Sequence, residues 1–350
     1  MKKIGLFLAL ALVFASCQNG KKNNASNITL SGAGSTFVMP FYTTAFQKYT
    51  SLTGVKVTYG GIGSGGGIRS LKDRVVDFGA SDAFLTDTQM TAMPAPVVEF
   101  PTCSGAVVMA FNLPGIQDIK LTPDVLANIY LGKIKKWNDP ALAQINPGVK
   151  FPNIPITVVY RSDGSGTTNI FTNYLTKVSP EWKDKYGYGT TVNWPVGIGG
   201  KGNPGVAGTI SQTVGAIGYV ESTYAFAEKI AYASIKNQAG NFIKPDFAST
   251  SAAGKGAMPA DTRIMITNSP DPAAYPIAGF TWVILYKEQN YNNRTLAQAE
   301  ALLKLWDWML SPDAQAIAQQ IDYVPLPASV IALDKSILRT VTYNGKPILK

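Results

Sequence analysis

Histidine is absent from this 350-residue sequence, and cysteine occurs only twice, as Cys17 and Cys103. Without histidine, the chain can form no Ser-His-Asp triad, no histidine metal site and no imidazole proton shuttle. The two cysteines form no cluster of zinc ligands, and the G-x-x-x-x-G-K-[ST] nucleotide loop is missing. We therefore predict no catalytic residue, no metal site and no cofactor.

Apolar runs long enough to cross a bilayer are also missing. The apolar run at residues 4–14 is too short to span, follows Lys2 and Lys3, and precedes Ala15-Ser16 and Cys17. This pattern predicts a signal peptide over residues 1–16. It resembles a bacterial lipoprotein signal, in which Cys17 is lipidated and becomes the new N-terminus. Phe14 departs from the leucine that is usual three residues before the cysteine, so a plain secretory signal is the alternative. Either signal places the mature chain outside the cytoplasmic membrane.

Residues 17–27 are polar and are predicted to form a flexible tether. A lipid on Cys17 would hold a soluble domain at a membrane through this tether without embedding it. The remainder, about 320 residues of average apolar content, can form two α/β domains with separate cores. If Cys17 is lipidated, Cys103 has no disulfide partner, and we predict it to be a buried, unreactive residue.

The formal net charge of the chain is +9. A basic balance can indicate nucleic-acid binding, but the lysines are scattered, no aromatic-basic repeat is present, and export argues against such a partner. We therefore predict no nucleic-acid partner. An anionic small ligand or an anionic membrane surface explains the charge more simply.

The stretch from Arg161 to Leu175 carries the clearest sign of an anion site. A β-branched strand is predicted at residues 156–160 and a helix at 167–176, with Asp163-Gly-Ser-Gly-Thr167 between them. Glycines in this loop let the amides of the first helical turn point at one place, where the helix dipole favours an anion. Arg161 adds a cationic fork. An ordinary helix cap beside a surface arginine is the alternative for this stretch alone.

Two further loops repeat the order of strand, glycine-hydroxyl loop and helix. Ser31 to Phe37 lies between a strand at 28–30 and a helix at 38–50, and Gly60 to Gly67, which contains Ser64, follows a strand at 55–59. A third strand, residues 75–82, ends in Ser81 and Asp82. A carboxylate repels an anion, so Asp82 is intelligible only if the ligand carries a proton that the carboxylate accepts.

Seven blocks occur in order along the chain, from about Thr29 to the C-terminal region. They are Gly32-Ala-Gly-Ser-Thr-Phe37, Gly61-Ile-Gly-Ser-Gly-Gly66, Val76-Asp-Phe-Gly-Ala-Ser-Asp82, Leu131-Gly-Lys-Ile-Lys-Lys-Trp137, Asp163-Gly-Ser-Gly-Thr167, Gly199-Gly-Lys-Gly-Asn203 and Gly215-Ala-Ile-Gly-Tyr-Val-Glu221. Together they resemble the phosphate-binding protein of bacterial high-affinity phosphate ABC transporters.

The resemblance implies an α/β protein with the two-lobed periplasmic-binding-protein fold of type II. Each lobe would be a mixed sheet flanked by helices, and two crossings of the chain would form a hinge. On this basis we predict lobe I at residues 28–112 and 276–350, and lobe II at 113–275. The protein would be a monomer that binds inorganic phosphate between the lobes and passes it to the membrane permease subunits of an ABC importer.

The resemblance also implies a set of phosphate ligands. Ser64 and the first loop would donate from one lobe, Asp82 would accept the phosphate proton, and Arg161, held by Asp163, would donate from the other. The implied residues are Ser35, Thr36, Phe37 (through its backbone N–H), Ser64, Asp82, Arg161, Asp163, Ser165, Gly166 and Thr167. One departure is Ser64-Gly65, where the family often has two serines. The family assigns no direct ligand to the loop ending at Asn203, which we predict to be cleft wall.

Asp82 would also explain selectivity. Phosphate near neutral pH carries a proton, its second pKa being about 6, whereas sulfate carries none. Sulfate would therefore set two anionic oxygens against each other in a dry site, at a cost of more than about 1–3 kcal/mol. Two alternatives stay open: a receptor for another tetrahedral oxyanion, and a secreted phosphoryl-transfer enzyme.

Strands and helices beyond these loops are predicted from apolar patterning. Apolar strands are expected at residues 97–100 and 105–112, and a later one at 262–267. Two late helices are expected at 296–310 and 313–320.

Overall fold

The structure, a computed structural model, describes residues 28–349. The predicted signal peptide (1–16), the tether (17–27) and the lipidation site at Cys17 lie outside the described residues. Over residues 28–349, no helix is both long and apolar enough to cross a membrane.

Fourteen strands are present in the described part of the chain. They are β1 (Thr29–Gly34), β2 (Lys56–Gly61), β3 (Phe78–Ser81), β4 (Val97–Phe111), β5 (Lys120–Leu121), β6 (Thr157–Arg161), β7 (Ile198–Gly200), β8 (Ala216–Glu221), β9 (Ala231–Tyr232), β10 (Ser234–Lys236), β11 (Phe242–Ile243), β12 (Ala278–Tyr286), β13 (Thr342–Tyr343) and β14 (Lys346–Pro347).

Thirteen helices accompany these strands between residues 28 and 349. They are α1 (Met39–Thr53), α2 (Ser64–Lys72), α3 (Asp87–Thr91), α4 (Pro123–Tyr130), α5 (Pro140–Ile145), α6 (Gly166–Val178), α7 (Pro180–Lys185), α8 (Gly202–Gln212), α9 (Ser222–Ala227), α10 (Phe247–Ala253), α11 (Leu296–Met309), α12 (Pro312–Gln320) and α13 (Ala328–Leu338).

A nine-stranded mixed sheet runs through the molecule in the order β2-β1-β3-β12-β4-β8-β6-β7, with β9 paired to β4. In one half, β1 pairs in parallel with both β2 and β3, and α1 and α2 make the crossovers. In the other half, β6 pairs in parallel with β7 and β8, with α6 and α8 as crossovers. The carboxyl ends of parallel strands are where α/β sheets place their ligand sites, so each half presents such an edge.

Strand β4 belongs to both halves. It pairs with β12 from Val97 to Ala106 and with β8 from Val107 to Phe111, antiparallel in both cases. The two separate strands predicted here are one continuous strand. Pro101 lies inside it, and the β4–β12 register shifts between Thr281 and Trp282, opposite Pro101. A bulge is the usual way for a sheet to accommodate a proline, which has no N–H to donate.

Each half has an aromatic core. In the first, Trp306 of α11 packs edge-on against Phe46, Phe78 and Phe100. In the second, Phe171 of α6 stacks on Tyr219 at 4.7 Å between ring centroids. Rings packed in this way stabilise a core by about 0.5–1.5 kcal/mol per pair beyond their burial. These cores fix α6 and the ends of the central strands, and the site is built on those elements.

The strand predicted at residues 262–267 is wrong, because this segment is neither strand nor helix. Side chains, and not the backbone of a neighbouring strand, donate hydrogen bonds to two carbonyl groups of this segment. Trp282 donates from its indole N–H to the Thr262 carbonyl (3.0 Å), and the Lys177 ammonium donates to the Thr267 carbonyl (2.7 Å). The apolar pattern reflects burial of residues such as Ile266 in the hydrophobic core and not pairing in a sheet.

Candidate functional site

Four loops meet at one place between the two halves of the sheet. Two follow β1 and β3, one forms the start of α2, and one joins β6 to α6. The Gly65 N–H donates to the Gly164 carbonyl (2.9 Å), and the Gly166 N–H donates to Ser64 Oγ (3.0 Å). The structure therefore brings together loops that are up to about 130 residues apart in the chain.

Nearly all of the predicted site residues are removed from solvent. Asp82 is 1% exposed and Arg161 4%. Asp163 is the exception, with a side chain that is 14% exposed. Buried charges are costly unless they are paired or hydrogen-bonded. All ten predicted site residues lie on the four loops that meet here or at the strand and helix ends that flank them. They are Ser35, Thr36, Phe37, Ser64, Asp82, Arg161, Asp163, Ser165, Gly166 and Thr167.

Asp82 is held by hydroxyl groups and has no cation in direct contact among the described residues. Ser35 Oγ lies 2.6 and 2.7 Å from the two carboxylate oxygens, and Thr281 Oγ1 donates to Oδ1 at 2.7 Å. Burial raises the pKa of Asp82 to about 6, although the hydrogen bonds and the more distant Arg161 partly oppose the shift. The carboxylate thus keeps acceptor capacity while remaining largely ionised at neutral pH.

Gly166 presses against Asp82 from the opposite lobe. A Cβ atom at position 166 would lie 2.6 Å from the Asp82 backbone nitrogen and 2.6 Å from Oδ2. Both distances are shorter than any real carbon contact. Glycine is therefore required here because it lets the start of α6 approach the carboxylate closely.

Arg161 and Asp163 form a two-bond ion pair. Arg161 Nε donates to Oδ1 at 2.8 Å and Nη2 donates to Oδ2 at 2.6 Å. Partial burial alone would raise the pKa of Asp163, but hydrogen bonding to Arg161 and its charge outweigh this and lower the pKa. Nη1 donates to Thr167 Oγ1 at 3.2 Å. Three of the five N–H groups are thus used by described side chains, which leaves two for a ligand.

Hydroxyl oxygens around the site mostly accept hydrogen bonds from backbone amides. Ser64 Oγ accepts from the N–H groups of Asp82 (3.3 Å) and Gly166 (3.0 Å). Ser165 caps α6, since its Oγ accepts from the Thr168 N–H at 3.1 Å. The protons of these hydroxyls have no acceptor among the described residues and can be donated to a ligand.

The backbone N–H of Phe37, predicted to face the ligand, donates to Ser35 Oγ at 2.9 Å. The Phe37 ring packs beside Gly105, where an added Cβ would lie 2.9 Å from it. Phe37 thus fixes the loop after β1 against the central strand, and its role as a direct ligand stays a prediction.

Two residues of the site were missed by the sequence analysis. Thr281 lies inside the apolar strand β12, where a single threonine gives no signal. Asn203 is the second residue of α8 and is completely buried, and its backbone and side-chain N–H groups both contact Thr36 Oγ1. Its signal was visible, because Gly199-Gly-Lys-Gly-Asn203 repeats the order of strand, glycine loop and helix. The sequence analysis predicts this loop to be cleft wall.

The arrangement is rich in donors and poor in acceptors. A guanidinium, several hydroxyls and the N-termini of α2 and α6 lie around Asp82, the acidic acceptor named by the sequence analysis. No group of three or more histidine, cysteine, aspartate or glutamate residues that could hold a metal occurs within residues 28–349. The chemistry of the side chains suits an oxyanion.

Comparisons with known proteins agree with this geometry. Residues 20–313 match the family model of the PBP superfamily domain. The phosphate-binding protein PstS of Xylella fastidiosa (strain 9a5c) is 42% identical over 310 residues, which cover 87% of this chain and 83% of the relative. The protein of the same name from Haemophilus influenzae is 41% identical over 317 residues, which cover 89% and 93%.

Solved structures share the fold. The high-affinity periplasmic phosphate-binding protein PfluDING, bound with phosphate, superposes with a TM-score of 0.69 at 22% identity, over 88% of this chain and 93% of that chain. Fold and site together define a two-lobed periplasmic binding protein, which confirms the predicted fold class.

At a finer level, the identities to its relatives show that the chain belongs to the family of PstS phosphate-binding proteins. This is a family of binding proteins and not of enzymes, so the prediction that the chain is not an enzyme is confirmed.

Proposed function

We propose that this protein binds inorganic phosphate between its two lobes and delivers it to an ABC importer. The observation that carries the proposal is the convergence of four loops on one dry site with many donors and the acceptor Asp82. The PstS names of its relatives support phosphate as the ligand.

Phosphate would be held mainly by oriented dipoles. Arg161 is paired with Asp163, so the site gains little net positive charge from it. Hydroxyls of Thr36, Ser64 and Thr167, together with amides of the first turn of α6, would supply the remaining donors. Donors already fixed in place bind an anion without a large cost of reorganisation.

Asp82 would accept the phosphate proton and exclude sulfate. Ser35 and Thr281 occupy part of its acceptor capacity and hold the carboxylate in one orientation. A sulfate oxygen in the same position would face an ionised carboxylate with no proton between them. Such an unpaired buried contact costs more than about 1–3 kcal/mol, so selectivity of several powers of ten is reachable.

The lobes that close around phosphate would be residues 28–112 with 276–350 and residues 113–275. The strands β4 and β12 lie at the junction of the halves, and a hinge there would let the cleft open and close. The closed shape, with Gly65 bonded to Gly164, would be the one that the permease subunits recognise.

The protein would work as a monomer outside the cytoplasmic membrane. The sequence of residues 1–17 supports export and a lipid anchor at Cys17, with residues 17–27 as the tether. Mass spectrometry of protein purified from a membrane fraction would test the anchor, because a diacylglyceryl group on Cys17 has a defined mass.

Isothermal calorimetry with the purified protein tests the function. The wild type should bind one phosphate with sub-micromolar affinity and show no heat with sulfate. Asp82→Asn should lower the ratio of phosphate affinity to sulfate affinity by about ten- to hundredfold, because the amide N–H can donate to a sulfate oxygen. Asp334→Asn is a matched control, since Asp334 is a buried acid in α13 and should leave both affinities unchanged. Equal binding of both anions by the wild type would reject the role of Asp82.

A further inference from the structure

Two threonine hydroxyls of the site, one on each side of the cleft, share a single asparagine as their partner. Thr36 Oγ1 accepts from the backbone N–H of Asn203 at 3.0 Å and from its Nδ2 at 3.1 Å. Thr167 Oγ1 accepts from the same Nδ2 at 3.1 Å and from Arg161 Nη1 at 3.2 Å. The side-chain amide of Asn203 thus uses one hydrogen on each threonine.

A hydroxyl group has one proton to donate and two lone pairs that accept. In both threonines the two lone pairs are occupied by N–H donors. Neither hydroxyl proton has an acceptor among residues 28–349, so each must point away from Asn203 and into the cleft. The two threonines are therefore fixed as donors before any ligand arrives.

The orientation of the Asn203 amide is itself fixed. The backbone N–H of Glu221 donates to Asn203 Oδ1 at 3.0 Å. A backbone N–H can only donate, so the oxygen of the amide must face Glu221 and the nitrogen must face the threonines. Asn203 has no exposed surface, so water cannot replace these partners.

We propose that Asn203 is a positioning residue that sets the direction of hydrogen bonding at Thr36 and Thr167 and so determines where the ligand can carry its proton. With both threonines restricted to donation, an oxyanion must present unprotonated oxygens to them and turn its single P–OH group toward Asp82. Asn203 also links the lobes, because it binds Thr36 from the first half and Thr167 from the second. This inference rests on the proposed function and adds two donors of fixed direction to the acceptor at Asp82.

A double-mutant cycle on the full chain tests the proposal, with phosphate as the probe and calorimetry as the measurement. Asn203→Ala should weaken phosphate binding by about ten- to hundredfold, because two hydroxyls become free to rotate and a buried contact is lost. The same change is then made in a protein that already carries Thr36→Val and Thr167→Val. There Asn203→Ala should weaken phosphate binding by less than about threefold, because the two hydroxyls that Asn203 orients are already absent and the effects of coupled residues do not add. The phosphate-to-sulfate ratio should stay at the wild-type value in Asn203→Ala, because Asp82 is untouched.

A matched control separates positioning from stability. Asn146 is also a buried asparagine, and its side chain donates to the carbonyls of Lys120 and Leu142, away from the cleft. Asn146→Ala should lower the melting temperature and leave the dissociation constant unchanged.

Two results would overturn the role of Asn203: wild-type affinity in Asn203→Ala, or an equal loss in both backgrounds. Wild-type protein that binds no phosphate would reject the proposed function and this inference with it. If the wild type binds phosphate but Asn203→Ala weakens binding equally with and without the two threonine changes, the inference alone is rejected.

Discussion

Asp82 and Asp163 are two aspartates of one site with opposite environments. Asp82 is enclosed by hydroxyls, and its pKa is raised to about 6, whereas Asp163 grips Arg161 with both oxygens, and its pKa is lowered. At Asp82 burial outweighs the hydrogen bonds, whereas at the less buried Asp163 the hydrogen bonds and charge of Arg161 outweigh it. Both carboxylate oxygens of Asp163 accept hydrogen bonds from Arg161, whereas Asp82 would keep part of its acceptor capacity for the ligand.

The change with the largest expected effect removes the close approach to Asp82. Gly166→Ala would place a Cβ atom 2.6 Å from Asp82 Oδ2 and from the Asp82 backbone nitrogen. Because backbone cannot move aside cheaply, the cleft should fail to close, and phosphate affinity should fall by more than about a thousandfold, equal to about 4 kcal/mol. Calorimetry measures the loss.

Gly208→Ala in α8 is the control for this change. An added Cβ at position 208 meets nothing within 4 Å. It should leave affinity unchanged and stabilise the fold by about 0.5–1 kcal/mol, as glycine to alanine does inside a helix. Wild-type affinity in Gly166→Ala would show that α6 does not close on Asp82.

The second effect is the pH dependence of sulfate binding. Above the pKa of about 6 the Asp82 carboxylate is ionised and repels sulfate, and below it the protonated group can donate to a sulfate oxygen. Sulfate affinity should therefore rise as pH falls from 8 to 5, by up to about a hundredfold, because binding takes up one proton. Calorimetry in buffers of different ionisation enthalpy counts that proton.

Asp82→Asn is the control for the pH series, because an amide does not titrate. Its sulfate affinity should change little over the same range. A wild-type sulfate affinity independent of pH would show that Asp82 does not face the anion.

The smallest expected effect is that of Asp163→Asn. The change removes a charged hydrogen bond to Arg161, which weakens the hold on the guanidinium, but it also removes a negative charge near the anion. The two effects oppose each other, so phosphate affinity should change by less than about tenfold. The phosphate-to-sulfate ratio should stay as in the wild type. A large change in that ratio would mean that Asp163 also contacts the ligand proton.

The loops of the site could be predicted from the sequence because each one repeats a local pattern. Glycine and hydroxyl residues between a strand and a helix identify the loops at Ser35, Ser64 and Ser165 without knowledge of the fold. Thr281 could not be predicted in this way, because its hydrogen bond to Asp82 joins residues 199 positions apart and forms only when β12 lies beside β3. Asn203 could not be assigned for a different reason: its glycine-rich loop is visible in the sequence, but its partners Thr36 and Thr167 come from two other loops.

Predictions of strands failed where side chains replaced backbone pairing. Residues 262–267 have a strand-like composition, yet Trp282 and Lys177 satisfy their carbonyls. The two predicted strands on either side of Pro101 are one strand, because β4 continues past the proline through a bulge at Thr102.

The continuity of β4 has a mechanical consequence. Its ladder with β12 ends where its ladder with β8 begins, so a hinge at Ala106 and Val107 would let the halves separate while the sheet stays paired. Opening by such a hinge would break hydrogen bonds between the halves, such as Gly65 to Gly164 and Asn203 to Thr36, each with a net value of about 1 kcal/mol. A transporter that opened the protein in this way would have to break these bonds and the bonds to the ligand, but not the sheet.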